Sequence, residues 1–267
     1  MKKTLLTLAL AASLFTTANA QNKVRNLSTS GQRLDLTTLT EKNQTTVISR
    51  YFLAGYNTLC LPMTISNDEL QKVAKGLHVE RMVGVGQEGN DVVAYFMDCT
   101  EDGIQAGVPY LVYSPTTQTM RVRSSNALSL DTDLITVRMS DQRGNTVRFS
   151  SSWESVEEDG RYGIPAKQDV SPLESVLVRT TGDKTFLPTR CGFVLEGQSS
   201  SASNLTIKHV KSLSEATGIQ ALRTNGGTIV DVYDVKGTLV KRGASSSNAL
   251  EGLPRGIYVV GGEKVVK

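Results

Sequence analysis

Residues Gly84-Val85-Gly86-Gln87-Glu88-Gly89 spell a G-x-G-x-x-G. In a dinucleotide site that spacing brings backbone up to a pyrophosphate at a helix N-terminus. A strand precedes it, a helix follows, and a carboxylate about 20 residues on holds the ribose. The flanks here do not supply that frame. Before the glycines, His78 to Val85 reads as a strand, with Val79, Val83 and Val85 on one alternating face and Arg81 the exception. After Asn90-Asp91 comes Val92-Val93-Ala94-Tyr95-Phe96-Met97-Asp98-Cys99, a short β-branched and aromatic run typical of a buried strand. The place for the carboxylate falls near Gly107-Val108-Pro109. The expectation is a hairpin, with Gly86-Gln87-Glu88-Gly89 as a type I turn ending in Gly89 at positive φ.

The other chemistry-bearing residues are scattered. His78-Val79-Glu80 copies the H-x-E of zinc deaminases, but no P-C-x-x-C follows. Two apart on a strand, His78 and Glu80 share a face and are expected as a surface pair. Glu154 to Gly163 gathers carboxylates near Trp153 and Tyr162. Glycosidases need two placed carboxylates, and the stretch reads as a solvated acidic loop. Trp153 and Tyr162 are the candidate glycan contacts, provided both stand on one exposed face. Asp131-Thr132-Asp133 offers too few local oxygens for calcium. No nucleophile elbow frames any serine.

The cysteines are Cys60, Cys99 and Cys191, each in an apolar run. They read as small buried hydrophobes, or as one bridge with one free thiol. A nucleophilic cysteine would need one of the chain's two histidines, His78 or His209. These residues imply no catalytic centre, no cofactor and no metal.

The N-terminus points to export. Lys2 and Lys3 precede an apolar run from Leu5 to Phe15, and Ala18-Asn19-Ala20 is a small-x-small cleavage site. The run is too short to span a membrane. Residues 1–20 are read as a signal peptide, with the mature chain beginning at Gln21. The formal charge of +3 falls to +1 once Lys2 and Lys3 are removed. With no basic stripe interleaved with aromatics, nucleic acid is not an expected partner. No later run is apolar for long enough to cross a membrane as a helix.

From residue 21 to 197 strand signals recur about every ten residues, the pattern of an all-β sandwich of jelly-roll type. "RLDLTTL" and "YNTLCLPM" come first. Ser66-Asn67-Asp68-Glu69 is a capping box for one short helix that stops at Gly76. "DLITVRMS" points Ile135, Val137 and Met139 inward, and "NTVRFSS" does so through Val147 and Phe149, with a tight turn at Asp141-Gln142-Arg143-Gly144. "SVLVRTT" and "RCGFVLEG" close the unit. Residues 198–217 form a connector, opened by the spacer Ser199 to Ser203, within which "LTIKHVKSLSEA" reads as one more strand and a connector. Residues 218–267 form a small β-sandwich module, with hairpins at Asp234 to Gly237 and at Gly261-Gly262-Glu263.

"VYDVKGTLV…LPRGIYVVGGEKVVK" resembles the C-terminal sorting domains of proteins exported by the type IX secretion system. The matching positions are Tyr233, Gly237, Val240, Leu253, Gly256, Tyr258, Val260, Lys264 and Lys267. The resemblance implies a module that engages the export machinery, placing the protein at the cell surface or outer membrane, or in the medium. The larger unit is similar to exported β-sandwich proteins carrying the same tail, through Tyr56 to Pro62 and Ile104 to Tyr110. That similarity brings no activity. The expectation is a non-catalytic interaction or structural protein whose partner is a glycan or a surface protein. The alternative is a carbohydrate-binding accessory protein resting on Trp153 and Tyr162.

Overall fold

A computed structural model describes residues 23–42, 44–157, 160–165, 177–181, 185–197, 204–212, 215–216, 229–234, 237–245, 249–260 and 263–267. The signal peptide 1–20, the spacer 199–203 and the turn residues Gly261 and Gly262 lie outside the described residues.

The described residues are mostly strands. They are β1 Lys23–Ser28, β2 Gln44–Phe52, β3 Gly55–Leu59 and β4 Met63–Thr64, followed by helix α1 Asn67–Val73. Next come β5 His78–Glu88, β6 Asp91–Asp98, β7 Tyr110–Ser114, β8 Gln118–Arg123, β9 Ser129–Leu130, β10 Val137–Ser140 and β11 Thr146–Ser151. β12 Val156–Glu157, β13 Tyr162–Gly163, β14 Val178–Arg179, β15 Thr185–Phe186, β16 Cys191–Glu196 and β17 Leu205–Val210 complete the larger part. β18 Ile229–Asp234, β19 Leu239–Ser245, β20 Ile257–Val260 and β21 Glu263–Val266 form the tail. The all-β sandwich expectation holds, with α1 as its short helix.

The central layer is a five-stranded sheet, β17-β6-β5-β7-β3. One face carries Tyr56, Met82, Val85, Phe96 and Leu111, packed on Val147, Phe149 and Phe193 of a second five-stranded sheet, β10-β11-β16-β13-β14. There Phe149 and Phe193 stack with centroids 4.2 Å apart, and Phe96 meets both edge-on. The opposite face carries Leu59, Val79 and Val112. These pack on Ile48, Phe52, Met120 and Val122 of the sheet β1-β2-β8, and on Leu70 of α1. Covered on both sides, central strands must be apolar at successive positions. Hence the unbroken run in β6.

Several local readings hold for the stated reasons. The Ser66 hydroxyl accepts the Glu69 N–H at 3.3 Å and opens α1. Glu69 does not reach back, however. Its carboxylate binds Lys72 at 2.6 Å and Asn126 at 3.0 Å. Asp141 Oδ1 accepts the N–H groups of Arg143 and Asn145, fixing the β10–β11 turn.

Four readings are corrected. Glu88 pairs with Asp91, so the β5–β6 loop is the two residues Gly89-Asn90. Gly89 has φ 61° at the first central position and Asn90 is not at positive φ, the pattern of a type II′ hairpin turn. Val79 and Val85 do not share a face: a bulge between Met82 and Gly84 shifts the alternation, so Val85 joins the core with Phe96, Val79 lies in the core on the opposite face, and Val83 packs with Val93 and Tyr95. "RLDLTTL" is not a strand. Asp35 accepts both the N–H and the hydroxyl of Thr37, a local turn that competes with sheet pairing. Finally, the linker bounds 198–217 are corrected: the strand expected in "LTIKHV" forms as β17, but it pairs in parallel with β6 and buries Leu205 and Val210, so it belongs to the larger part.

The tail is a separate four-stranded antiparallel sheet, β19-β18-β20-β21. Val232, Ala244, Ala249 and Tyr258 form a core of their own. Two polar contacts reach the larger part. Arg81 donates to the Gly237 carbonyl, and Arg242 lies 3.3 Å from Asp131.

Candidate functional site

The two histidines of the chain come to one end of the central sheet. On β5, His78, Glu80 and Met82 point to the same face. Register places Tyr113 opposite His78, Tyr56 opposite Tyr113, Asp98 opposite Glu80, and His209 opposite Phe96. The result is a polar cap at the end of the apolar interface between the two five-stranded sheets.

Glu80 and His209 are its centre. His209 Nδ1 lies 2.7 Å from Glu80 Oε2, with the side chains only 25% and 12% exposed. The imidazole stacks on Tyr56 at 4.8 Å and 17°. Tyr56 meets Tyr113 edge-on at 5.2 Å. β17 and β3 are opposite edges of their sheet, so the His209–Tyr56 stack requires that sheet to curl. Burial, then Glu80 and Tyr113, push the Tyr56 phenol above its usual range, keeping it a neutral hydroxyl. His78 stands outside, 3.8 Å from Asp98, with both side chains 59% exposed. The expected surface pair of His78 with Glu80 is therefore corrected: each takes another partner, and Glu80 is mostly buried.

A carboxylate holding an imidazole by Nδ1 is the orienting half of a general-base arrangement. The cysteines supply no activated nucleophile. Cys60, Cys99 and Cys191 are free and buried, and burial pushes Cys99 and Cys191 each up to about 12 and Cys60 well above the usual thiol value. Among the described residues no group of three or more His, Cys, Asp or Glu side chains gathers to hold a metal.

The candidate glycan contacts do not form an exposed aromatic face. Tyr162 is 5% exposed within the core. Trp153 is half-buried against both main cores, and its indole N–H donates to the Thr132 carbonyl at 2.7 Å. In the acidic loop, Glu154 pairs with Arg33 at 3.3 Å. Asp131 is bound to Arg242 and to the Asp133 N–H.

The residues of Ile104 to Tyr110 are explained by packing. Gly107 has φ 73°, and a Cβ there would lie 1.9 Å from the Asp133 carbonyl oxygen. The Tyr110 hydroxyl accepts the Gln105 N–H at 3.1 Å.

The tail gathers its motif residues. Gly237, at φ 80°, donates to the Asp234 carbonyl, and Thr238 N–H donates to Asp234 Oδ1 at 2.8 Å. Tyr258 is buried and donates its hydroxyl to the Pro254 carbonyl at 2.9 Å. Its ring covers the Cα of Gly256, where a Cβ would meet it at 3.5 Å. Leu253 packs on the tail core. Lys267 N–H binds the Gly256 carbonyl at 2.9 Å, and its ammonium donates to Leu253. Lys264 pairs with Val259 in the sheet. Burial, then Asp231, raise Tyr233 to about 12.

Sequence reasoning missed His209 and the buried Arg50. For His209 a signal was present, because Leu205, Ile207 and His209 alternate in β17 and place the imidazole on the apolar face. For Arg50 the signal was weaker: Ile48 and Phe52 share its face, but Val47 and Tyr51 make the other face of β2 apolar too, so the alternation does not say which face turns inward.

No protein-family model, no curated protein and no solved structure matches this chain. Fold and contacts define an all-β protein of stacked sheets with a separately cored C-terminal sheet. No helix among the described residues is long and apolar enough to cross a membrane.

Proposed function

We propose that the chain is an exported, non-catalytic interaction or structural protein of the cell surface or medium, whose C-terminal module serves sorting or attachment. One observation carries the reading. Of the positions resembling a type IX sorting domain, Tyr233, Tyr258 and Lys264 lie on strands of one small sheet with its own core, and Gly237, Leu253, Gly256 and Lys267 lie in the turns and ends of that same sheet. A sorting signal read by export machinery must be presented as a unit, and a separate core allows that. The basic and apolar N-terminus supports passage across the inner membrane first. The partner at the larger unit is a glycan or a surface protein. The carbohydrate-accessory alternative loses support, because Tyr162 is buried and the Trp153 indole N–H is already used.

The test is fractionation of host cells producing the full chain or a chain ending at residue 217. The reading expects the full chain at the surface or in the medium, and the shortened chain folded in the periplasm. Equal delivery of both removes the sorting role.

A further inference from the structure

Six arginines, Arg25, Arg33, Arg81, Arg138, Arg148 and Arg242, each pair with a carboxylate, and all are more exposed than Arg50. Arg50, only 3% exposed, pairs with none among the described residues. It projects from β2 into the interior, with its guanidinium carbon 5.1 Å above the Phe52 ring. Its two terminal nitrogens donate to the carbonyls of Tyr51 and Thr58. Its Nε has no partner.

A second cation stands beside it. Arg190 donates to the Thr29 carbonyl at 3.2 Å and is likewise without a carboxylate among the described residues. Local bonds tie the two together. Thr29 donates to the Ser49 carbonyl, next to Arg50, while Thr58 accepts from Arg50 and exchanges hydrogen bonds with Cys191, next to Arg190. Burial, then Arg190, hold the Arg50 guanidinium below its usual value. A guanidinium stays protonated in water, so that depression expresses a cost of burying the charge.

A third observation lies on the same segment. Thr189 is fully buried, its hydroxyl has no partner, and its φ of 67° makes it the one described non-glycine residue at positive φ. A β-branched residue in that conformation is strained. An orphaned guanidinium N–H, an orphaned hydroxyl and two unneutralised cations thus fall on two segments that Thr29 and Thr58 bond together. Buried charge of one sign is costly without a counter-charge.

We propose that a small inorganic anion, a halide or a small oxyanion, binds between Arg50 and Arg190 as a built-in counter-ion. It accepts from Arg50 Nε, from the Arg190 guanidinium and from the Thr189 hydroxyl, and it neutralises part of the paired positive charge. The half-buried Arg190 is its route to solvent. The site is independent of export and of the tail.

The test uses the purified full chain in sodium gluconate, with chloride, bromide or sulfate exchanged in at constant ionic strength. A ligand that binds only the folded state raises Tm and then saturates, here by about 3–5 °C for a roughly tenfold excess over Kd. Arg50→Met should lose the saturable rise, and Arg121→Met, on the exposed side of β8, should keep it. The anion that saturates identifies the class. As a check that needs no variant, crystals of the wild-type chain soaked in bromide should show an anomalous peak within hydrogen-bond distance of Arg50 Nε. The proposal is overturned by Tm changes that never saturate with any of the three anions. Where a halide gives the saturable rise, bromide peaks confined to other surface positions overturn it equally.

Discussion

His209 on β17 and Glu80 on β5, 129 residues apart in sequence, hold each other at 2.7 Å across the end of the central sheet. That contact ties the last strand of the larger unit to its middle. It also brings a basic and an acidic side chain under partial cover beside Tyr56.

Truncating either partner should destabilise the chain. His209→Ala and Glu80→Ala should each cost about 1–3 kcal/mol, because each removes a partly buried, charge-assisted hydrogen bond. The double variant should cost less than the sum, since contacting residues couple. Urea unfolding of the four chains measures this. Strict additivity would show that the two side chains do not interact.

The β5–β6 hairpin gives a second prediction. Gly89 is at φ 61° with open space around a would-be Cβ, so a side chain there meets backbone strain and no clash. Gly89→Val should cost about 1–3 kcal/mol, and Gly89→Asn much less, because Asn tolerates the left-handed region. Equal Tm for both variants would place the strain elsewhere. A nicotinamide or flavin nucleotide should give no heat in calorimetry.

That hairpin also marks what the sequence made legible. The strand character of β5 and β6 was readable from β-branched and aromatic runs, as were the α1 N-cap at Ser66 and the Asp141 turn. These depend on neighbours in sequence. The bulge at Val83 and the burial of Arg50 were not readable, because partners far along the chain decide them. For β17 the strand pattern was readable, but its place in the central sheet was not. "LTIKHV" follows a serine-rich spacer, and only pairing with β6 makes it part of the larger unit. Of the polar cap, the residue types were visible, but the joining of His209 to Glu80 depends on sheet order.

The cysteines make a pH prediction. Burial raises Cys99 and Cys191 to about 12, against about 9 for a thiol in the unfolded chain. Between those values the unfolded chain has lost the proton and the folded chain keeps it. Stability is therefore intact below about pH 9 and declines as pH rises toward 12. Cys60, Tyr56 and Tyr110 act in the same direction. Denaturant midpoints across pH 8 to about 11 should fall, and iodoacetamide at pH 8 should label none of the three thiols until urea is added. Rapid labelling of the folded chain would contradict their burial.

The tail should respond separately. Tyr258→Phe removes the bond to Pro254 and should cost about 0.5–1.5 kcal/mol. Because the tail has its own core, the loss should appear in the melting of that sheet alone. Trp153, the one tryptophan, lies against the main cores, so its fluorescence transition should not move. A shifted tryptophan transition would show that the two cores unfold as one.

The most direct test of the account asks whether the tail is sufficient. Residues 218–267 are fused to the C-terminus of a carrier that the host otherwise leaves in the periplasm, and the location of the carrier is measured by protease accessibility on intact cells. The account predicts a carrier delivered to the surface or medium, and one that stays periplasmic when Gly256→Val and Tyr258→Ala break the sheet. A carrier that remains periplasmic with the intact tail, in cells that deliver the full chain to the surface, would contradict it.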